Sequence, residues 1–177
     1  AFITLVQFDD RYEMNYQSVP VSEAQPLIAG ETFVPRGTTA LYDAIGKTIN
    51  DLKTDRDVIF VIITDGHENA SQEFRGEAIK KMIESLTNEE GWKFIFLAAN
   101  QDAILSGNSI GISGANSMTY AANDASTSAA FFSVSSNMAS YRSSKFKNLS
   151  DDEIVSIESL SKDLEFKDEQ RKDSNKS

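Results

Sequence analysis

Phe2, Ile3, Leu5, Val6 and Phe8 fill the opening segment with β-branched and aromatic side chains, and the run ends in Asp9-Asp10-Arg11, the pattern of a strand entering a turn. Beyond the turn, Tyr12, Met14 and Tyr16 alternate with Glu13, Asn15 and Gln17, the period of two of a half-exposed strand. The two runs predict an antiparallel hairpin. Residues 18–36 hold Pro20, Pro26, Pro35 and Gly30 and read as a connecting loop with at most short structure. From Ala40 the period lengthens. Leu41, Ala44, Ile45, Thr48, Ile49 and Leu52 recur at helical spacing, with Asp43, Lys47, Asn50, Asp51 and Lys53 on the other face.

Val58-Ile59-Phe60-Val61-Ile62-Ile63 is apolar at every position, as expected of a central parallel strand covered on both faces, and the polar loop Thr64-Asp65-Gly66-His67-Glu68-Asn69 follows it. A second amphipathic helix carries Phe74, Ala78, Ile79, Met82, Ile83 and Leu86 inward and is stopped by Gly91. Trp92 to Ala99 is another buried strand, ending at Asn100-Gln101-Asp102, with Trp92 a core or rim anchor. Apolar strands alternating with amphipathic helices are the βαβ signature and predict an α/β fold with a mostly parallel, doubly wound sheet and an antiparallel edge hairpin.

Ser106 to Asn116 is rich in small residues and leads to a weak strand near Met118 to Ala121. A last core-facing helix is expected from Ala129, Phe131, Phe132, Val134, Met138 and Tyr141. The character changes past Lys147. Ser150-Asp151-Asp152-Glu153 fits a capping box, and Ile154, Ile157, Leu160 and Leu164 form a narrow stripe that either docks back on the sheet or engages a partner helix. Lys167 to Ser177 is wholly polar and reads as a disordered tail. The expected organisation is a domain over 1–147 and an acidic helix with flexible tail over 148–177.

Composition narrows the function. The chain has 177 residues, 27 Asp+Glu against 17 Lys+Arg and a formal charge of −10, with no basic cluster, so binding to nucleic acid or an anionic membrane surface is not expected. Zero cysteines exclude thiolate catalysis and Cys-based metal sites and leave the redox compartment undecided. One histidine, His67, argues against imidazole-built zinc sites and Ser-His-Asp triads and reads as a solvated loop residue. No apolar run approaches the roughly 20 residues that span a bilayer, and a cytoplasmic location is expected. The chain opens on alanine directly into an apolar run, as an internal fragment does.

Loops at the carboxyl ends of parallel strands carry function in open α/β sheets. Two qualify: Gly37-Thr38-Thr39-Ala40-Leu41-Tyr42-Asp43-Ala44 before the first helix, and Thr64-Asp65-Gly66 after the most apolar strand. A threonine hydroxyl and an aspartate are hard oxygen donors suited to Mg2+. Each has a plainer reading, Thr39 as a helix N-cap and Asp65 as a turn residue. Asp9 and Asp10 read as strand-terminating residues.

Taken in order, the strand ending Val6-Gln7-Phe8-Asp9, the loop and helix Gly37 to Ile45, and the strand Val61-Ile62-Ile63-Thr64-Asp65-Gly66 resemble a von Willebrand factor type A (vWA) domain of bacterial or phage type, over about residues 1–145. Phe96 to Ala103 adds to the likeness. The resemblance implies a Rossmann-like fold and a metal-ion-dependent adhesion site in which Thr39 and Asp65 bind Mg2+, with Mn2+ or Ca2+ as substitutes. A protein partner's acidic side chain completes the ion's coordination. The family's Asp-x-Ser-x-Ser motif, at the end of a strand preceding this chain's first, is missing, so the site is expected to be incomplete and metal binding weak or absent. The later match Asp124-Ala125-Ser126-Thr127-Ser128 follows a segment too polar and small for a buried central strand and reads as helix capping. The implied function is metal-dependent protein binding, not catalysis. The alternatives are a metal-dependent phosphoryl or ester hydrolase using Asp65, and a metal-free structural or interaction domain.

Overall fold

The computed structural model describes residues 1–52, 54–150 and 157–176. The architecture is mixed α/β, with a two-stranded antiparallel sheet and a three-stranded parallel sheet. The chain divides into two compact units, Ala1–Asp55 with Gly66–Ile79, and Arg56–Asp65 with Lys80–Ser177.

In the first unit β1 (Phe2–Phe8) pairs antiparallel with β2 (Tyr12–Pro20), matching Phe8 to Tyr12, Val6 to Met14 and Ile3 to Val19. The hairpin follows from the alternation in Tyr12 to Gln17, which puts one face of β2 outward. The register shifts between Ile3 and Val6. Ser18, at φ 52°, lies opposite this irregularity, and its N–H donates to Thr4 Oγ1 at 3.1 Å. β2 therefore reaches Pro20, into the segment expected to be loop. α1 (Leu41–Asp51) packs on β1 and buries Leu41, Ala44, Ile45 and Ile49.

Two expectations fail in this unit. Asp43, read as outward, is 8% exposed, because its carboxylate accepts hydrogen bonds from a neighbouring loop. Phe74 precedes the second helix, α2 (Gly76–Glu89), and its ring lies over Gly46 of α1. A Cβ on Gly46 would stand 2.6 Å from that ring. Gly46→Ala is accordingly expected to lower stability by about 1–3 kcal/mol through overpacking, read from a shifted urea midpoint. An unchanged midpoint would show that Phe74 moves aside freely.

In the second unit β3 (Ile59–Thr64), β4 (Lys93–Ala99) and β5 (Ser117–Tyr120) form a parallel sheet in the order β3-β4-β5. The central strand is β4, which is buried from Phe94 to Ala99. β3, expected at the centre, is an edge strand of this sheet, and its Ile63 is 37% exposed. An unbroken apolar run specifies that both faces prefer cover, but it does not specify how many strands flank it. Trp92 is buried and its ring stacks with Phe94 at 6.2 Å. Ahead of it Gly91, at φ 71°, ends α2, and the Trp92 N–H returns to the Leu86 carbonyl.

α3 (Ala103–Ser109) was not expected from its small residues. Asp102 caps it by accepting from the Leu105 N–H at 2.9 Å. A 3-10 turn at Gly114–Asn116 leads into β5. α4 (Asp124–Ser150) packs on β5, α5 (Ile157–Lys162) and α6 (Asp168–Asp173). The core of this unit joins Ile95, Leu97, Met118, Ala130, Val134 and Tyr141 to Leu164 and Phe166, with Leu160 partly buried beside them. Leu160 and Leu164 thus dock back on the sheet. Phe131 and Phe132, expected in the core, are 48% and 74% exposed. The proposed capping box and Ile154 fall on residues outside those described, as does the side chain of Ile157.

The segment read as a disordered tail carries α6 and is held by directed bonds. Arg171 donates to the carbonyls of Ser117 (2.5 Å), Gly114 (2.9 Å), Ala115 (3.1 Å) and Phe166 (3.3 Å). The Ala121 N–H donates to the Ser174 carbonyl at 2.9 Å, and Ser174 is fully buried. The C-terminal segment therefore satisfies backbone groups of β5 and the turn before it. Among the described residues, no helix is long and apolar enough to cross a membrane.

Candidate functional site

The loop–helix segment around Thr39 is organised by two carboxylates that the sequence did not single out for that role. Ala40, not Thr39, is the N-cap of α1, and no N-cap side chain serves the helix. The first-turn N–H groups are instead met from the loop that follows Gly66 in the chain. Glu68 Oε2 accepts from the Tyr42 N–H at 2.9 Å, and Ser71 Oγ accepts from the Asp43 N–H at 3.0 Å. Glu68 also folds its own loop, with Oε1 accepting from the N–H groups of Ala70 (3.0 Å) and Ser71 (2.8 Å) and Oε2 from the Ser71 hydroxyl (2.7 Å).

Asp43 answers from the helix. Its Oδ2 accepts from the Gln72 N–H at 2.9 Å, and its Oδ1 from those of Glu73 (3.0 Å) and Phe74 (2.8 Å). Burial works against ionisation of both carboxyls, yet the donors outweigh it and both are held below the ordinary carboxylate range, Asp43 with help from the charge of Lys47. Lys47 in turn pairs with Glu73 at 2.8 Å. A third carboxylate, Asp9, does more than end β1. It is 3% exposed, ion-paired with Arg36, and accepts from the Arg11 N–H at 2.6 Å. Arg36 also reaches Glu13 at 3.2 Å.

Thr39 sits on this platform. Its N–H donates to Asn69 Oδ1 at 2.9 Å, and its carbonyl accepts from the Asn69 N–H at 3.0 Å, a reciprocal pair that fixes the backbone on either side of its hydroxyl. Thr39 Oγ1 lies against Gly66, where an added Cβ would approach it to 2.5 Å, so this corner admits only glycine without movement. Asp65, the residue bonded to Gly66, belongs to the second unit, follows β3 and is exposed. There its charge adds to burial in raising the Tyr120 hydroxyl above its usual range. His67 is exposed.

The donor chemistry for a cation can be judged from these partners. Asp43, Glu68 and Asp9 already serve N–H groups or Arg36. Among the described residues, no three of His, Asp and Glu come together as a metal-holding group. Thr39 and Asp65 remain as hard oxygen donors, right in kind for Mg2+, which keeps several of its waters, and few in number. Asp124-Ala125-Ser126-Thr127-Ser128 opens α4. There Asn123 Oδ1 caps the Ser126 N–H at 2.8 Å, and the buried Ser126 hydroxyl donates to the Lys176 carbonyl at 2.8 Å. Its central serine is therefore engaged inside the second unit. Comparisons with family models, with curated proteins and with solved structures find no match to this chain.

Proposed function

We propose that this chain is a protein-interaction module of the vWA type, with a Rossmann-like fold, that engages an acidic side chain of a protein partner through a divalent cation, Mg2+ first. The observation that carries the reading is the placement of Thr39 Oγ1 against Gly66, the neighbour in sequence of Asp65. With Ala40 as the N-cap, helix capping does not account for a threonine at position 39. The ion would be held by the Thr39 hydroxyl and the Asp65 carboxylate, and it would supply a positive charge that the site's own donors do not neutralise. Asn69 orients Thr39, while Asp43 and Glu68 keep the loop in one conformation. Binding is favoured over hydrolysis because Asp43, Glu68 and Asp9 are already engaged by N–H groups or Arg36, whereas two-metal chemistry uses a pair of open acids.

Calorimetric titration of Mg2+ into the chain, its Thr39→Val variant and its Asp65→Ala variant tests this. Both variants are expected to bind about tenfold more weakly than the parent chain. Equal affinity in Asp65→Ala removes that residue from the site. A second reading, a metal-free interaction domain, is favoured by the absence of a three-ligand group among the described residues. A parent chain that releases no heat with Mg2+ or Mn2+ selects it.

A further inference from the structure

Tyr120 ends β5 and is 7% exposed, yet its hydroxyl has no hydrogen-bond partner among the described residues. A hydroxyl buried without a partner is unfavourable, and in folded chains such groups are normally met by protein or by water. The buried serines of the second unit follow that rule. Ser117, Ser126, Ser133 and Ser174 donate to the carbonyls of Ser113, Lys176, Ala129 and Gln170. Tyr141 is as buried as Tyr120 and also unpaired among the described residues, but the charges that act on it are those of the ion pair Lys145–Asp57, ahead of β3. Tyr120 lies at the opposite end of the strands, where the charge that acts on its phenol is the carboxylate of Asp65.

The strand register places the two groups. Ala99 pairs with Tyr120, and Thr64 pairs with Ala98, so Asp65 comes level with Ala99 as β3 ends. Ala99 and Tyr120 belong to the core on one face of the sheet, against which Ile59 and Val61 of β3 also pack, and Ile63 and Asp65 come next in that alternation. Tyr120 and Asp65 therefore stand two strand spacings apart, ~10 Å between backbones, with only an alanine side chain between them. A phenol is long enough to cover most of that distance, and no hydrogen bond joins it to the carboxylate. Asp65, Ala99 and Tyr120 all lie in the second unit.

We infer that Tyr120 is a further residue of the cation site, its phenol oxygen accepting a hydrogen bond from a water carried by the Mg2+ ion that Asp65 holds. The inference rests on the reading of Asp65 as a ligand of that ion. Mg2+ keeps several waters when bound, and its charge makes them strong donors that need acceptors on the protein side. The phenol oxygen is such an acceptor, already stripped of solvent by burial and not committed to another group. Its own hydrogen remains free for a further water. Tyr120 thereby adds an oxygen to a site whose direct donors are few.

Calorimetric titration of Mg2+ into the full chain and its Tyr120→Phe variant tests this. The variant keeps the buried ring, so its circular dichroism spectrum should match the parent's, while its Mg2+ affinity should fall about fivefold, the effect of one hydrogen bond. Tyr141→Phe removes an equally buried hydroxyl at the other end of the strands and should bind as the parent does. In an Asp65→Ala background, adding Tyr120→Phe should weaken binding no further, because the water it addresses is no longer held in place. Mg2+ should also shift the tyrosine ultraviolet absorption of the parent and not that of Tyr120→Phe. A Tyr120→Phe chain that binds Mg2+ as tightly as the parent, while Asp65→Ala binds more weakly, overturns the role of Tyr120 and leaves Asp65 in the site. Equal losses in Tyr120→Phe and Tyr141→Phe overturn it as well, since the loss then follows from packing. A parent chain that binds no Mg2+ overturns the cation reading and the part of Tyr120 with it.

Discussion

Asp43→Ala is expected to lower the unfolding free energy by about 3 kcal/mol, because one buried carboxylate accepts three backbone N–H bonds and its loss strands all three donors. Asp43→Asn keeps an acceptor oxygen while losing the charge, and should fall about midway. The pH dependence checks the cause. Asp43 and Glu68 have pKa values lower in the folded chain than unfolded, burial notwithstanding, because N–H donors favour the anion. Their stabilisation is therefore fully present above the unfolded carboxyl value near pH 4 and is lost as pH falls through the lower folded values. Urea midpoints at pH 7, 4 and 3 should fall steeply for the parent chain and less steeply for Asp43→Ala. Parallel acid slopes would mean that the carboxylate contributes as a neutral acceptor only.

Arg171→Met should have an effect of similar size, about 3 kcal/mol, by leaving four carbonyls without their shared donor. The guanidinium also lies 5.8 Å from the Phe166 ring centroid, so methionine keeps some packing and none of the hydrogen bonding. Two amides report on release of the segment, those of Phe166, which donates to Ala115, and Ala121, which donates to Ser174. Their hydrogen exchange should accelerate together in Arg171→Met and only partly recover in Arg171→Lys, because an ammonium cannot fork to several carbonyls at once. Unchanged exchange would show that Leu164 and Phe166 anchor the segment without the arginine.

The hairpin, the main helices and the parallel strands are legible in the sequence because burial of one face or both imposes a period, as in Tyr12 to Gln17 or Leu41 to Ile49. Periodicity carries no information about strand order, so Ile59 to Ile63 read as central although the strand lies at the edge of its sheet. It is equally blind to docking by hydrogen bonds. Nothing in the polar run after Lys167 distinguishes a solvated tail from a helix whose arginine binds carbonyls, although the apolar pair Leu164 and Phe166 just ahead of it was a signal of attachment. Around the candidate site, Thr39 and Asp65 were marked by residue type as oxygen donors and singled out by the resemblance to a vWA domain. The residues that build their surroundings, Asp43, Glu68, Ser71 and Asn69, were not, because a carboxylate facing backbone N–H groups looks in sequence like one facing water. On α4, Phe131 and Phe132 were assigned to the core because they are apolar, and apolarity alone does not fix which side of a helix is buried.

The cover of β5 also has a consequence in time. Met118 of β5 and Ser174 of the covering segment are 56 residues apart, so on the ribosome the strand is made about 3 to 11 s before the residues that close over it, at roughly 5–20 residues per second. During that interval the nascent sheet offers an open edge to chaperones and to neighbouring nascent chains. The second unit thus completes its fold only after the segment through Ser174 has been made, and mutations that loosen Arg171 should lower the yield of native protein in cells as well as its equilibrium stability in the test tube.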